Sequence, residues 1–156
     1  MQSAFIGWKQ EPDDYLERIL GHDRLEKLNP IRTFRDNGIV VSFGSDAPCT
    51  TPDPIAWMDR AVNNGNAGQA VSVQDALRMC TYNGAWAAFD EQERGSLEAG
   101  KIADMAVLSE NPYTVPKDKL SCLRVERLYL SGKPYESCRE NILPMMLRGL
   151  TSRNKA

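Results

Sequence analysis

Apolar residues recur along this chain first at helical and then at strand spacing. Between 13 and 28 they stand at Leu16, Ile19 and Leu20, then at Leu25 and Leu28, with Gly21 between the groups. This spacing predicts two short helices divided at the glycine. Asn29-Pro30 reads as a cap followed by proline, Ile31 and Phe34 supply an apolar face, and Gly38 is a stop signal. A helix is therefore predicted over about 30–37. Ile39 to Phe43 is short, apolar and β-branched, the pattern of a parallel strand buried on both faces. Asp53-Pro54 opens a further helix, with Ile55, Met58, Ala61 and Val62 on its buried face and Asn63-Asn64-Gly65 as its breaker. Ser72 and Asp75 form a capping box. Behind it Val73, Ala76, Leu77, Cys80, Ala87 and Ala88 predict one long helix over about 73–89, its apolar surface widened by Trp86 and Phe89.

At Gly95 the pattern changes. GSLEAGKIADMAVLS carries two glycines and then a predicted strand from Ile102 to Leu108. Residues 117–120 allow a turn of helix at most. Val125 to Leu130 reads as a strand, Ser131-Gly132 as a tight turn and Lys133 to Glu136 as the return. Helix, glycine, buried strand and polar loop is the rhythm of a β/α fold, here followed by a small separate β-layer. After Glu140, Pro144 with the basic residues Arg148, Arg153 and Lys155 suggests a loosely docked helix with a frayed end.

Composition narrows the classes. The 156 residues are 42% hydrophobic and 26% charged, with a net charge of −2. That is a domain of ordinary size able to bury a core without staples. The balance argues against a nucleic-acid partner, and no phosphate-binding glycine motif occurs. Cys49, Cys80, Cys122 and Cys138 show no C-x-x-C spacing, so reduced thiols are expected rather than a disulfide framework or cysteine zinc site. The start of the chain has no basic and apolar leader, and no apolar run approaches the ~18–20 residues of a membrane span. No membrane partner and a cytoplasmic location are the expectations. One histidine, His22, is present, and one imidazole cannot make a multi-histidine metal centre.

The candidate chemistry lies in FGSDAP, residues 43–48. Asp46 follows the apolar run directly. It is either a turn former, bonding its own backbone, or an acid displayed at the mouth of a buried strand. Ser45, Thr50 and Thr51 are candidates to line a pocket beside it. His22 reads as a surface or cap residue, Asp104 as a local structural acceptor, and Asp13, Asp14 and Glu17 as a solvated helix start. Trp57, Trp86 and Met79 read as core or interface.

The order of buried strand, GSDAP, S-x-x-D-A-L helix, GSLEAGKIADMAVL and VERLYLSGKPYE resembles the C-terminal part of the metal-dependent amidohydrolases, and within them the amidohydrolase 3 group that contains the YtcJ-like proteins. NPIRTFRDNGIVVSF and VPKDKL are similar to the same group, so the resemblance spans about 5–136. GSDAP alone is a weak signal; at this spacing from GSLEAGKIAD it is a specific one.

The resemblance implies an α/β fold: the last β/α units of a (β/α)8 barrel, followed by strands of a small β-sandwich, with the barrel incomplete. It places barrel over 1–92, sandwich over 93–137 and a tail over 138–156. It implies hydrolysis of a non-peptide, amide-like carbon–nitrogen bond of a small-molecule substrate through metal-activated water. A divalent metal, zinc, is implied for the full-length enzyme and none for this chain alone. Asp46, after the last barrel strand, corresponds to the acid/base residue and to a possible metal ligand. The H-x-H pair, the bridging lysine and the later metal histidines of the family are absent, and a whole barrel takes ~250 residues. Two readings follow: the C-terminal piece of a longer enzyme, inactive in isolation, or a non-catalytic truncated product that binds or pairs with another fragment. Either leaves barrel surfaces exposed and implies self-association.

Overall fold

The computed structural model describes residues 1, 6 and 15–135. The predicted tail helix, Asp13, Asp14, Glu136 and Cys138 lie outside the described residues. Helices fill the first part: α1 Tyr15–Leu20, α2 His22–Leu25, α3 Ile31–Asp36, α4 Pro54–Val62, α5 Val73–Cys80 and α6 Tyr82–Ala87. Strands β1 Met105–Leu108, β2 Val125–Leu130 and β3 Lys133–Pro134 follow. The chain is thus α/β with a small sheet.

Local chemistry sets most boundaries. Gly21, at φ 74°, divides α1 from α2, a conformation glycine adopts without Cβ cost. Asn29 sits at φ 52° and Pro30 becomes the cap, so α3 begins one residue later than predicted. Asp53 Oδ1 accepts from the amides of Ile55 (3.0 Å) and Ala56 (3.2 Å), satisfying two of the donors that a helix start leaves open. The predicted capping box is present: Ser72 Oγ accepts from the Asp75 amide at 3.1 Å, and Asp75 Oδ2 from the Ser72 amide at 3.4 Å.

Helix α4 buries Met58, Ala61 and Val62, and α5 buries Ala76 and Met79. The two pack together, and a 3₁₀ turn at Lys117–Cys122 closes over α4 through Leu120. These residues join Ile6, Ile31, Val41, Val71 and Leu123 in one core. Each fully buried large side chain contributes about 1.5–3 kcal/mol relative to exposure.

Two sequence expectations are corrected. The first is the single helix over 73–89. Thr81 (φ −124°, ψ −92°) ends α5, and α6 starts directly after it. The Thr81 hydroxyl donates to the Leu77 carbonyl at 2.8 Å, the side-chain competition that bends or breaks helices. Trp86 and Phe89 consequently face outward, Phe89 at 94% exposure. The second is burial of 39–43 on both faces. Val41 is buried, but Ile39 and Val40 are 53% and 43% exposed. The segment is extended yet lies in no strand ladder of the described sheet.

The sheet is antiparallel in the order β1-β2-β3, with a register shift between Val107 and Leu108. Ser131 and Gly132, at φ 52° and 76°, make the two-residue turn with two positive φ values that suits hairpin twist. Strand β1 starts later than predicted because residues 102–104 serve as a loop. There Asp104 acts as the local acceptor anticipated: Oδ1 takes the Ser131 amide and Oδ2 takes Arg94 Nη1, both at 2.8 Å. Among the described residues no helix is long and apolar enough to cross a membrane.

Candidate active site

Asp46 follows an extended segment held on both edges. Residue by residue, the N–H and C=O groups of an extended chain alternate sides. On one side Val41 C=O accepts from Asn83 Nδ2 at 2.7 Å, and the Phe43 amide donates to Met79 C=O at 3.0 Å. On the other, Ser42 C=O accepts from the Met1 amine at 2.7 Å, and the Gly44 amide donates to Met1 C=O at 3.0 Å. Helices α5 and α6 thus take one edge, and Met1 takes the other in the manner of a parallel neighbour.

Beyond Gly44 the chain turns on its own groups. The Cys49 amide donates to Asp46 C=O at 2.9 Å, around a cis Ala47-Pro48 bond. Ser45 Oγ accepts from the Ala47 amide at 3.1 Å, and Thr50 Oγ1 donates to Ser45 C=O. The Thr51 carbonyl accepts from the Asp53 amide at 2.9 Å, and Thr51 itself is exposed.

These contacts bear on the two readings of Asp46. Its backbone is left-handed, at φ 57°, which Asp tolerates better than most residues. Its carboxylate is exposed and makes no hydrogen bond or ion pair among the described residues. The side-chain bonds of the turn come from Ser45 and Thr50, half-buried beside it. The turn brings Ser45, Asp46 and Thr50 together and leaves Thr51 exposed at the rim.

Sequence reasoning missed Asn83. It is the buried polar residue of the described core, at 8% exposure. The available signal was an amide set among Cys80, Ala85 and Ala87 in an otherwise apolar stretch. Next to it, Cys80 Sγ lies 3.7 Å from Pro54 C=O, and burial pushes its thiol up to about 12. Cys49, Cys80 and Cys122 are free.

The residues present do not fit a metal centre. Among the described residues no group of three or more His, Cys, Asp or Glu side chains could hold an ion. His22 is exposed, its Nδ1 3.2 Å from Glu17 Oε1, as the surface reading required.

An α/β chain with a small antiparallel sheet of this kind has counterparts among hydrolases of known structure. A metal-dependent hydrolase from Pyrococcus furiosus superposes with a TM-score of 0.54 at 27% identity, over 64% of this chain and 20% of that one. The chain belongs to the amidohydrolase family, whose profile matches residues 2–135, and within it to the amidohydrolase 3 group with its YtcJ-like members. It is 37% identical over 136 residues to the N-substituted formamide deformylase of Arthrobacter pascens, and 29% identical over 124 residues to YtcJ of Bacillus subtilis. These matches take in 83% and 73% of this chain. The chain spans 23% of the length of each relative.

Proposed function

We propose that this chain is the C-terminal portion of an amidohydrolase that cleaves a non-peptide, amide-like carbon–nitrogen bond, with Asp46 as its acid/base carboxylate. In this reading residues 1–92 are the last β/α units of a (β/α)8 barrel, 93–137 a β-sandwich segment and 138–156 a tail. The observation that carries the assignment is a carboxylate with no hydrogen bond or ion pair among the described residues. Asp46 follows an extended segment, where barrel enzymes place their chemistry, and the hydrogen bonds of its turn are made by other groups. A carboxylate so placed can take a proton from a water as its oxygen attacks the carbonyl carbon. It can return that proton to the nitrogen as the carbon–nitrogen bond breaks, so one group serves as base and then acid.

Histidines and any divalent ion, zinc by family resemblance, would come from outside the described residues. The isolated chain should therefore show no turnover of N-substituted formamides with or without added zinc. Hydrolysis by the purified chain that a chelator abolishes would refute this. A chimera tests Asp46: the matched segment of the Arthrobacter deformylase is replaced by this chain. With Asp46 it should hydrolyse formamides; with Asp46→Asn, kcat should fall by about 10²–10⁴. Undiminished activity of the Asn chimera would overturn the assignment.

A second reading, a pairing module, is favoured by the outward apolar side chains of Ile39, Val40, Trp86, Phe89 and Leu97. Such surface invites association. Light scattering of the purified chain should show species above the monomer, and a stable monomer would count against it.

A further inference from the structure

We propose that Asn83 is a positioning residue for Asp46, acting through the backbone of residues 41–43; the link to catalysis rests on the reading of Asp46 above. The argument starts at the broken helix. Had α5 run on through 89, the Met79 carbonyl would accept from the residue-83 amide four positions later. The break at Thr81 leaves Met79 C=O open, as at any helix end, and the Phe43 amide takes it at 3.0 Å. The same break starts a new helix, whose second residue, Asn83, aims its amide at Val41 C=O, 2.7 Å away. One irregularity thus supplies an acceptor and a donor to alternate backbone groups of one extended segment. It does so on the edge opposite Met1.

The chemistry explains why the residue is an amide. At 8% exposure a polar side chain must be hydrogen-bonded or the fold loses its burial energy. Asn83 meets a carbonyl with no ladder partner among the described residues, so each satisfies the other. An apolar side chain of the same volume would leave Val41 C=O unpaired. Val41 is five residues before Asp46, with Ser42, Phe43 and Gly44 leading into the turn at Ser45. Displacement of the segment would therefore carry the Ser45–Asp46 turn with it, while the turn keeps its own internal bonds.

The test is residue-resolved amide hydrogen exchange on the full chain, comparing wild type, Asn83→Leu and Leu120→Ala. Leu120 lies in the core on the 117–122 turn, so its variant reports plain loss of stability. Asn83→Leu should speed exchange of the Phe43 and Gly44 amides, which bond Met79 and Met1, by about tenfold or more while the Cys49 amide inside the turn and the α4 amides hold, a local opening. Leu120→Ala should instead speed α4 along with Phe43 and Gly44. Unchanged exchange at Phe43 and Gly44 in Asn83→Leu, or a rise no larger than in α4, would overturn the proposal. Should Asn83→Leu not fold, the wild type decides. The Asn83 side-chain amide and the Phe43 amide should then show the same protection, and protection differing by more than about tenfold would overturn the coupling. None of these readings depends on turnover. An active Asp46→Asn chimera would remove the catalytic role of the turn and leave the exchange result standing.

Discussion

Gly95 offers the most direct check on how the GSLEAGKIAD segment is seated. It has φ +90°, and a Cβ built there would lie 2.6 Å from Ala85 Cβ and 3.1 Å from Tyr82 Cα, both on α6. Gly100, five residues on, has φ +95° and nothing within 4 Å of such a Cβ. The pair separates two costs. Gly100→Ala bears the left-handed backbone penalty alone, about 1–2 kcal/mol. Gly95→Ala bears the same penalty plus overpacking against backbone and a short side chain, about 1–3 kcal/mol more. Urea unfolding followed by tryptophan fluorescence measures both. With a slope of about 2 kcal/mol/M, the midpoint should fall by about 0.5–1 M for Gly100→Ala and about 1–2.5 M for Gly95→Ala. Removing the nearest obstacle should recover part of the difference: in Ala85→Gly/Gly95→Ala the two effects should sum to less than their separate costs. Equal midpoints for the two alanine variants would refute the close approach of the loop to α6.

The thiols should divide by burial. With its thiol near 12, Cys80 should resist iodoacetamide at about pH 8, because the thiolate is the nucleophile. Exposed Cys49 and Cys122 should be alkylated, and peptide mass mapping reads the pattern; equal labelling of Cys80 in the folded chain would contradict it. Asp75 should tie α5 to α3 in a pH-dependent way. Burial opposes its ionisation, but the Ser72 hydroxyl and the Arg35 guanidinium, each 2.6 Å from Oδ2, outweigh it and hold the carboxyl below the usual range. A carboxyl depressed in the folded state stabilises it above the unfolded value of about 3.9, and that contribution is lost as pH falls through the folded value. The stability gap between wild type and Asp75→Asn should therefore be full near neutrality and close below about pH 4. A gap unchanged into acid would show that the ion pair does not act.

Legibility in the sequence followed the range of the interaction. Devices written within four residues were read correctly: the Asp53 cap, the Ser72–Asp75 box, the break at Gly21 and the Ser131-Gly132 turn. Their donors and acceptors are neighbours in the chain, so residue type and spacing suffice. The break at Thr81 was missed because the apolar pattern runs through it, and what matters is a hydroxyl choosing the Leu77 carbonyl. Asn83 was missed for a deeper reason: its partner, Val41, lies 42 positions away. The exposure of Ile39 and Val40 was equally hidden, since an apolar run says that a strand wants cover and cannot say that cover is present. The candidate acid was visible through the family resemblance. That its carboxylate has no partner among the described residues needed coordinates, because Asp46 and Ser45 are equally plausible acceptors for the turn on sequence alone.

The turn and the segment before it are stabilised differently, and this bears on what such a chain contributes to a hydrolase. Bonds that shape the turn run among Ser45, Asp46, Ala47, Cys49 and Thr50, with Asp53 closing onto Thr51. They are local, between residues no more than five positions apart. The bonds that fix where the turn stands come from Met1, Met79 and Asn83, 36 to 43 positions away from their partners. Shape is therefore set by bonds within residues 45–53, whereas position is set by contacts distant in the chain. A proton carrier needs both, since misplacement by about 1 Å costs on the order of 10²-fold in rate. Substitutions inside the turn should alter the chemistry of the acid directly, and substitutions in α5 and α6 should alter its aim. In the proposed hydrolase, α5 and α6 would act on Asp46 through the position of its turn.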